Sequence, residues 1–569
     1  MSSKFTRRST LEATLGWITT ALMLPVLALN KNDAKAEEFQ LSNDVFQHGV
    51  ASGDPQQNSV VLWTRVTTMK GQETVNWEIA KDNDFQEIVE RGMAKANQSA
   101  DHTVKVIPQN LEAGATYYYR FHLNGTYSGI GRTKTLTEGK LDHLGIALAS
   151  CSNFAWGYFN AYDAIAKDEQ VDFVLHTGDY IYEYGTDGWG GDHSVAINRA
   201  HNPAHEIVTL DDYRKRHAQY KADRGSLAMH AAHSLLVCWD DHESANNPWI
   251  GGAENHQPET EGEWSVRLAA SLQAYYEWMP IRDPKPGRTR EEFWRSYVFG
   301  DLLTLVTLES RHTARGKQVD YLDYAESIQS KTDAEAFMRD VIGDPDRKMI
   351  SEAMEQELET SLSASVKKEQ PWRIIGNPCP IARMLVPDVE KLGVDPSRLN
   401  SGERTPNVPT AADALFWKGR FNLPFYTDTW DGYPAAREKF YDLCKSVGAS
   451  DLLVLTGDSH SFWANKLYDQ GGHSMGIEIG TAGISSPGDF VNSGWDDETS
   501  RKLDKIFVDQ LDEVIWTDNM HQGYVRVHLS HEEAKVDFIA MSNILTESYE
   551  PKLLRSDVLR HDKGSIDFT

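Results

Sequence analysis

Five residues of this chain have the types and the spacing to do chemistry together: Asp179, Asp241, His242, Asp458 and His460. Each stands just after a short apolar run. Val171–His176 ends at Thr177-Gly178-Asp179, Ser234–Trp239 at Asp240-Asp241-His242-Glu243, and Asp451–Leu455 at Thr456-Gly457-Asp458-Ser459-His460. Two more runs end in polar crests of the same kind: Leu144–Ala149 at Ser150-Cys151-Ser152-Asn153, and Leu302–Leu308 at Glu309-Ser310-Arg311. Carboxylates gathered in one place repel one another and need a compensating cation. Two or more metal ions would supply it, and neighbouring metals can polarise a phosphoryl group while lowering the pKa of an attacking water. Any one of these aspartates could equally cap a helix, and any one histidine could be a satisfied core residue. The recurrence of the same residue types at successive crests argues for a shared site.

The elements that must position them read as a layered α/β domain over residues 142–569. Its buried strands turn polar at one end, and helices lie between them, as in Tyr158–Lys167 with Phe159, Tyr162 and Ile165 at helical spacing. Residues 43–137 differ. Val60–Val66, Val75–Ile79, Thr103–Val106 and Tyr117–Phe121 are β-branched or aromatic runs separated by Gly71, Asn110, Gly114 and Asn124-Gly125, which predicts a small fibronectin- or Ig-like β-sandwich ahead of the α/β domain.

Residues 1–36 read as an export signal: Lys4, Arg7 and Arg8, an apolar stretch from Leu11 to Leu29, then Ala34-Lys35-Ala36. Thr6-Arg7-Arg8-Ser9-Thr10-Leu11 resembles a twin-arginine signal, which hands folded proteins to the twin-arginine export machinery, although Thr10 and Glu12 depart from its usual residues. An ordinary secretory leader is the alternative. No stable membrane anchor is expected, so the protein should be periplasmic or secreted, exported after folding. The 569 residues include 57 basic and 84 acidic ones, a formal charge of −27; the leader is basic, so the remainder is more acidic still. That balance speaks against nucleic acid as a stable partner, because no basic surplus exists to neutralise a phosphate backbone. An acidic protein that handles phosphate must take its positive charge from bound cations. The four cysteines, Cys151, Cys238, Cys379 and Cys444, are too scattered for a disulfide framework. The sequence does not indicate an oligomeric state.

Gly178-Asp179-Tyr180-Ile181-Tyr182 resembles the Gly-Asp-x-x-Tyr block of purple acid phosphatases and of the alkaline phosphatase D (PhoD) family. Trp239-Asp240-Asp241-His242-Glu243 with Asn246-Asn247 is similar to the second PhoD block, and Thr456–His460 to the last, with Asp458 where relatives carry the first His of Gly-His-x-His. His48–Pro55, Ala149–Ser152 and Trp430–Pro434 add matches along almost the whole chain after the leader.

The resemblance implies a site with Fe(III) and Ca(II). Cys151, Asp179, Tyr182 and His460 match the positions that hold ferric iron, to which thiolate and phenolate are suited, whereas calcium prefers hard oxygens. Asp179 would bridge to calcium, completed by Asp241, Asn247 and Asp458; Asp241 stands where the wider superfamily carries a metal-binding asparagine, so Asn247, or Asn246, could fill that role. Without the resemblance, Cys151 reads as a buried small hydrophobe. His242 matches a histidine that contacts the reacting phosphate and would stabilise the transition state or protonate the leaving alkoxide. Arg311 suits phosphate oxygens or, equally, a structural ion pair with a neighbouring acid. The implied activity is an exported metal-dependent phosphoesterase acting on phosphomonoesters and phosphodiesters to release phosphate. The alternatives are a phosphodiesterase or phospholipase D-like enzyme on the same site, a metallophosphatase with two ordinary divalent metals, and a non-catalytic binding protein.

Overall fold

In the computed structural model, the structure describes residues 40–395, 398, 411–562 and 564–569. The export-signal reading of residues 1–36 lies outside them. The strand runs come out close to their expected places: His143–Ala149, Phe173–His176, Ser234–Val237, Leu303–Thr307 and Leu452–Thr456.

These strands belong to two large sheets. His143–Ala149, Phe173–His176 and Ser234–Val237 are parallel neighbours in a ten-stranded sheet; Leu303–Thr307, Trp372–Asn377, Leu452–Thr456 and Ser474–Gly480 are parallel neighbours in a seven-stranded one. The sheets face each other across a dry core in which Leu144, Ile146, Leu148, Leu175 and Leu236 meet Leu303, Leu305, Ile374, Leu453, Leu455 and Ile479. Burial on both faces is why these strands read as continuous apolar runs rather than alternating ones. Helices cover the outer faces. Asn160–Ala166 and Trp264–Trp278 pack on the ten-stranded sheet, and Glu352–Lys367 and Pro434–Ser446 on the seven-stranded one. The fold is thus mixed α/β, a two-sheet core between helical layers.

Register sets the site. His176 lies level with both Ala149 and Val237, so three crests leave the ten-stranded sheet side by side. Thr456 ends its strand in the facing sheet, and its crest crosses to meet them. A Cβ on Gly457 would lie 2.2 Å from Ser150 Oγ and 2.7 Å from Thr177 Oγ1, so only glycine allows that approach.

The charged segment 317–367 is partly core. Met354, Leu358 and Leu362 form a stripe on the helix Glu352–Lys367 that packs under Val306 and Ile375. The C-terminal residues Pro551–Asp562 and Ser565–Phe568 are antiparallel strands that extend the edge of the ten-stranded sheet. Among the described residues no helix is long and apolar enough to cross a membrane.

The N-terminal strands divide between two sheets. Gln72–Ala80, Ile88–Asn97 and Thr116–Leu123, with two shorter strands, form a five-stranded sheet of their own. Val50–Gly53, Val61–Arg65 and Thr103–Val106 extend the ten-stranded sheet, where Ser52 pairs in parallel with Ser234. The junction is a buried chain of hydroxyls: Ser234 Oγ lies 2.9 Å from Ser52 Oγ and 2.7 Å from Thr133 Oγ1. Asp54 pins the same seam by accepting from Arg282 N at 2.9 Å and from Arg295 Nε at 3.1 Å. Ser234→Ala removes the shared partner of two buried hydroxyls, and chemical denaturation is expected to show a loss of about 1–3 kcal/mol; an unchanged midpoint would mean that water replaces the missing hydroxyl.

Candidate metal centre

The crests bring most of the expected donors together. Three groups could each hold a metal ion: Cys151, Asp179 and His460; Asp179, Asp241 and His242; and Asp240, Asp241 and Asp458. Within each, one donor atom per residue lies within 4.8 Å of the others. Tyr182 joins the first group, with its hydroxyl 2.9 Å from Asp179 Oδ2 and 3.3 Å from His460 Nε2. Asp179 and Asp241 are each shared by two groups, so the three form one continuous cluster.

The backbone bends to make this possible. Cys151, Asp179, Asn247, Asp458 and His460 all have left-handed φ values, between 51° and 65°. For a residue with a Cβ that conformation costs of order 1–3 kcal/mol, and such residues gather where function requires them. Gly178, with φ 106°, sits so close to the second crest that a Cβ there would lie 2.3 Å from Asp240 N. Glu243 ties the two crests together by accepting from the backbone N–H of Asp179 at 3.1 Å, Tyr180 at 2.6 Å and Asp240 at 2.7 Å. From behind, the Tyr180 hydroxyl meets His230 Nε2 at 2.8 Å, and His176 Nδ1 accepts from Gly178 N at 3.3 Å.

The electrostatics are those of crowded anions. Burial and then the neighbouring Asp179 push the Cys151 thiol well above its usual range. Asp179 is raised by burial and then by Asp241, Tyr182 by burial and then by Asp179, and Asp458 by burial and then by Asp240. Asp241 Oδ1 and Asp240 Oδ2 are buried with no hydrogen-bond partner. Unsatisfied carboxylate oxygens beside a thiol and a phenol fit cations, which would stabilise every deprotonated form at once. His460 fits a ligand role too. Burial and then the charge of His242 lower its pKa to about 4, so its ring is neutral, and Nδ1 donates to Pro487 O at 3.2 Å, leaving Nε2 on the side of Tyr182.

His242 is the charged imidazole of the site. Burial opposes its protonation, but Asp241, Glu183 and Asp179 together hold its pKa well above the usual value. Its Nδ1 lies 2.6 Å from Glu183 Oε2, and Nε2 lies 3.9 Å from Asp241 Oδ2. Glu183 is fully buried and also accepts from Asn246 N at 2.7 Å and Asn255 Nδ2 at 2.8 Å. Sequence reading did not single out Glu183 or Asp240. Asp240 belongs to a recognised crest, whereas the role of Glu183 depends on a contact between two loops.

Arg311 is fully buried, and its guanidinium faces acids. Nε donates to Asp240 Oδ1 at 2.5 Å, while the other nitrogens lie 3.6 Å from Asp458 Oδ1 and 3.8 Å from Asp428 Oδ2. Asn247 lies at the rim: its backbone N–H donates to Asp241 Oδ2 at 2.9 Å, and its amide nitrogen donates to Glu254 at 2.9 Å. Asn246 gives its backbone N–H to Glu183. Cys238, Cys379 and Cys444 are buried free thiols; Cys379 and Cys444 pack in the core beneath the seven-stranded sheet.

Comparison with known proteins agrees with this architecture. Residues 146–538 match the model of the PhoD-like phosphatase family, and residues 32–137 match the PhoD-like phosphatase N-terminal domain. Alkaline phosphatase D of Bacillus subtilis (strain 168) is 33% identical over 512 residues, which is 87% of this chain and 77% of that protein. A solved structure described as that of PhoD superposes with a TM-score of 0.73 at 29% identity, covering 93% of this chain and 92% of the other. With its acidic crests converged at one end of a two-sheet core, the chain belongs to the PhoD-like phosphatase family and is an alkaline phosphatase D-like phosphoric ester hydrolase.

Proposed function

We propose that the chain is an exported metal-dependent phosphoesterase that cleaves phosphomonoesters, and phosphodiesters on the same site, and so releases phosphate outside the cytoplasm. The observation that carries this reading is the continuous cluster of carboxylate, thiol and imidazole donors at the converged strand ends, with His242 held between Glu183 and Asp241 beside it. Cys151, Asp179, Tyr182 and His460 would hold Fe(III). Asp179, Asp241, Asn247 and Asp458 would hold Ca(II), with Asn247 using its amide oxygen because its nitrogen is engaged by Glu254. When bound, the cations would supply the positive charge that neutralises the phosphoryl oxygens and acidifies an attacking water.

The chain's own residues do the rest. Glu183 keeps a proton on His242 Nδ1 and fixes the ring, which leaves Nε2–H to meet the ester oxygen. As the P–O bond breaks, that oxygen takes the proton from Nε2 and leaves as an alcohol. Arg311 stays behind the carboxylates, where its charge allows Asp240 and Asp458 to remain close together. Asp240, paired with Arg311, braces the calcium side. The leader pattern in residues 1–36 supports export through the twin-arginine machinery, which delivers a protein with its metals already seated.

Purified enzyme is expected to contain iron by elemental analysis and to absorb visible light through ferric–phenolate charge transfer. Tyr182→Phe should abolish that band; a colourless, iron-free and fully active protein would replace the iron assignment with two ordinary divalent metals. His242→Ala is expected to lower kcat on an alkyl phosphate by about a hundredfold or more, and far less on nitrophenyl phosphate, whose leaving oxygen needs little protonation. Equal losses on the two esters would exclude the general-acid role. In a bacterial host, fractionation should find the enzyme in the periplasm, and Arg7→Lys with Arg8→Lys should retain it in the cytoplasm; continued export of the double variant would point to an ordinary secretory leader.

A further inference from the structure

The loop after Glu183 carries a tryptophan for which the mechanism has no use. Trp189 is half-buried between Gly188 and Gly190, two residues after the exposed Asp187, and its indole reaches His460 of the candidate metal centre. The ring lies parallel to the His460 imidazole, with centroids 5.4 Å apart and planes 11° apart, and 5.7 Å from Tyr182. Its N–H donates to Asn492 Oδ1 at 2.8 Å, which sets the rotation of the ring. Gly190 has φ 86°, and a Cβ there would lie 2.8 Å from Trp156 Nε1, so the loop backbone is held against Trp156.

Other rings continue this surface. Tyr184 lies 6.2 Å from Trp189 and 5.3 Å from His242, and Trp156 lies 5.5 Å from Trp189. An aromatic wall therefore begins at the two imidazoles, His242 and His460, and runs outward to the exposed loop. For an ester whose phosphorus lies at the metal cluster and whose leaving oxygen faces His242, Tyr184 and Trp189 are the rings beside the two imidazoles that the rest of the leaving group would meet. Aromatic rings hold a planar π surface better than a saturated group of the same size, through offset or edge-to-face contacts.

We propose that Trp189, with Tyr184, forms a specificity subsite that takes a planar aromatic leaving group, so that aryl or nucleobase-bearing phosphate esters are preferred over alkyl ones. This rests on the phosphoesterase reading above. The subsite acts on the part of the substrate that is not transformed, so it shows in binding, free of any difference in leaving-group acidity.

The test is competitive inhibition of nitrophenyl phosphate hydrolysis by two phosphonates of matched size, benzylphosphonate and cyclohexylmethylphosphonate, with a nucleoside 5′-phosphonate as a third arm. The wild-type enzyme is expected to bind the benzyl compound about three- to tenfold more tightly than the cyclohexyl one. Trp189→Leu should bring the two constants together, while Trp189→Phe should keep most of the difference. The ratio within one variant cancels any change in the metal centre caused by loss of the stack on His460. A nucleoside arm that follows the benzyl arm would assign the subsite to nucleobases as well as simple aryl groups; one that follows the cyclohexyl arm would confine it to aryl groups. Equal ratios in wild type and Trp189→Leu would overturn the subsite and leave Trp189 as packing for His460. No competition from any phosphonate would remove the phosphate site itself, and the proposal with it.

Discussion

Mutual repulsion among buried anions is the constraint on which this molecule depends. Asp179, Asp240 and Asp241, with the thiol of Cys151 and the phenol of Tyr182, are buried at one end of the core, and Asp458 is half-buried beside them. Inside a protein such charges interact far more strongly than at its surface, so the cluster is tolerable only with compensation. Two cationic side chains provide part of it: Arg311 from below, through Asp240 and Asp458, and His242 from the side, through Glu183 and Asp241. Asp240 and Asp241 each keep a buried oxygen without a hydrogen-bond partner, where a cation could supply the remaining compensation.

Holding like charges together requires a rigid frame, and the two-sheet core is that frame. Parallel strands in matched register deliver three crests to one place, and the facing sheet delivers the fourth. Left-handed backbone at Cys151, Asp179, Asp458 and His460 bends the chain shortly after three of these strands, and at Asn247 it bends the far end of the second crest. The strain is held by contacts made elsewhere: Glu243 bridges two crests through three backbone N–H groups, and glycines at 178 and 457 let neighbouring loops touch.

The surroundings of the cluster divide the work. His242 and its buried partner Glu183 face the cluster from the same loops that carry Asp179 and Asp241, so one set of loops holds both the candidate metal donors and the paired imidazole. The aromatic rings beyond them supply surface without charge. That suits an acidic protein, because further carboxylates at the mouth would repel a phosphate ester before the cations could attract it. The N-terminal strands stand away from this chemistry. Their seam at Ser52, Asp54 and Ser234 lengthens the ten-stranded sheet and covers its edge, which protects an otherwise open strand.

The residues alone determined a good deal. Apolar runs of buried-strand length and the turn residues after them located five strands of the core and their polar crests, because such runs are set by short-range preferences. The candidate site residues Asp179, Asp241, His242, Asp458 and His460 were legible there as recurring types at successive crests, whereas Cys151 and Tyr182 stood out only through the resemblance to the PhoD blocks. The strand Ile88–Asn97 was not, because Glu90, Arg91 and Lys95 on an exposed edge give it little apolar contrast. Nor was the division of the N-terminal strands between two sheets, since the pairing of Ser52 with Ser234 joins residues 182 apart. Glu183 as the partner of His242, Arg311 turned toward acids and Trp189 laid on His460 were decided only by the tertiary structure. Each depends on which loops become neighbours and on the sign of φ at single residues, and those are set by contacts between segments far apart in the chain.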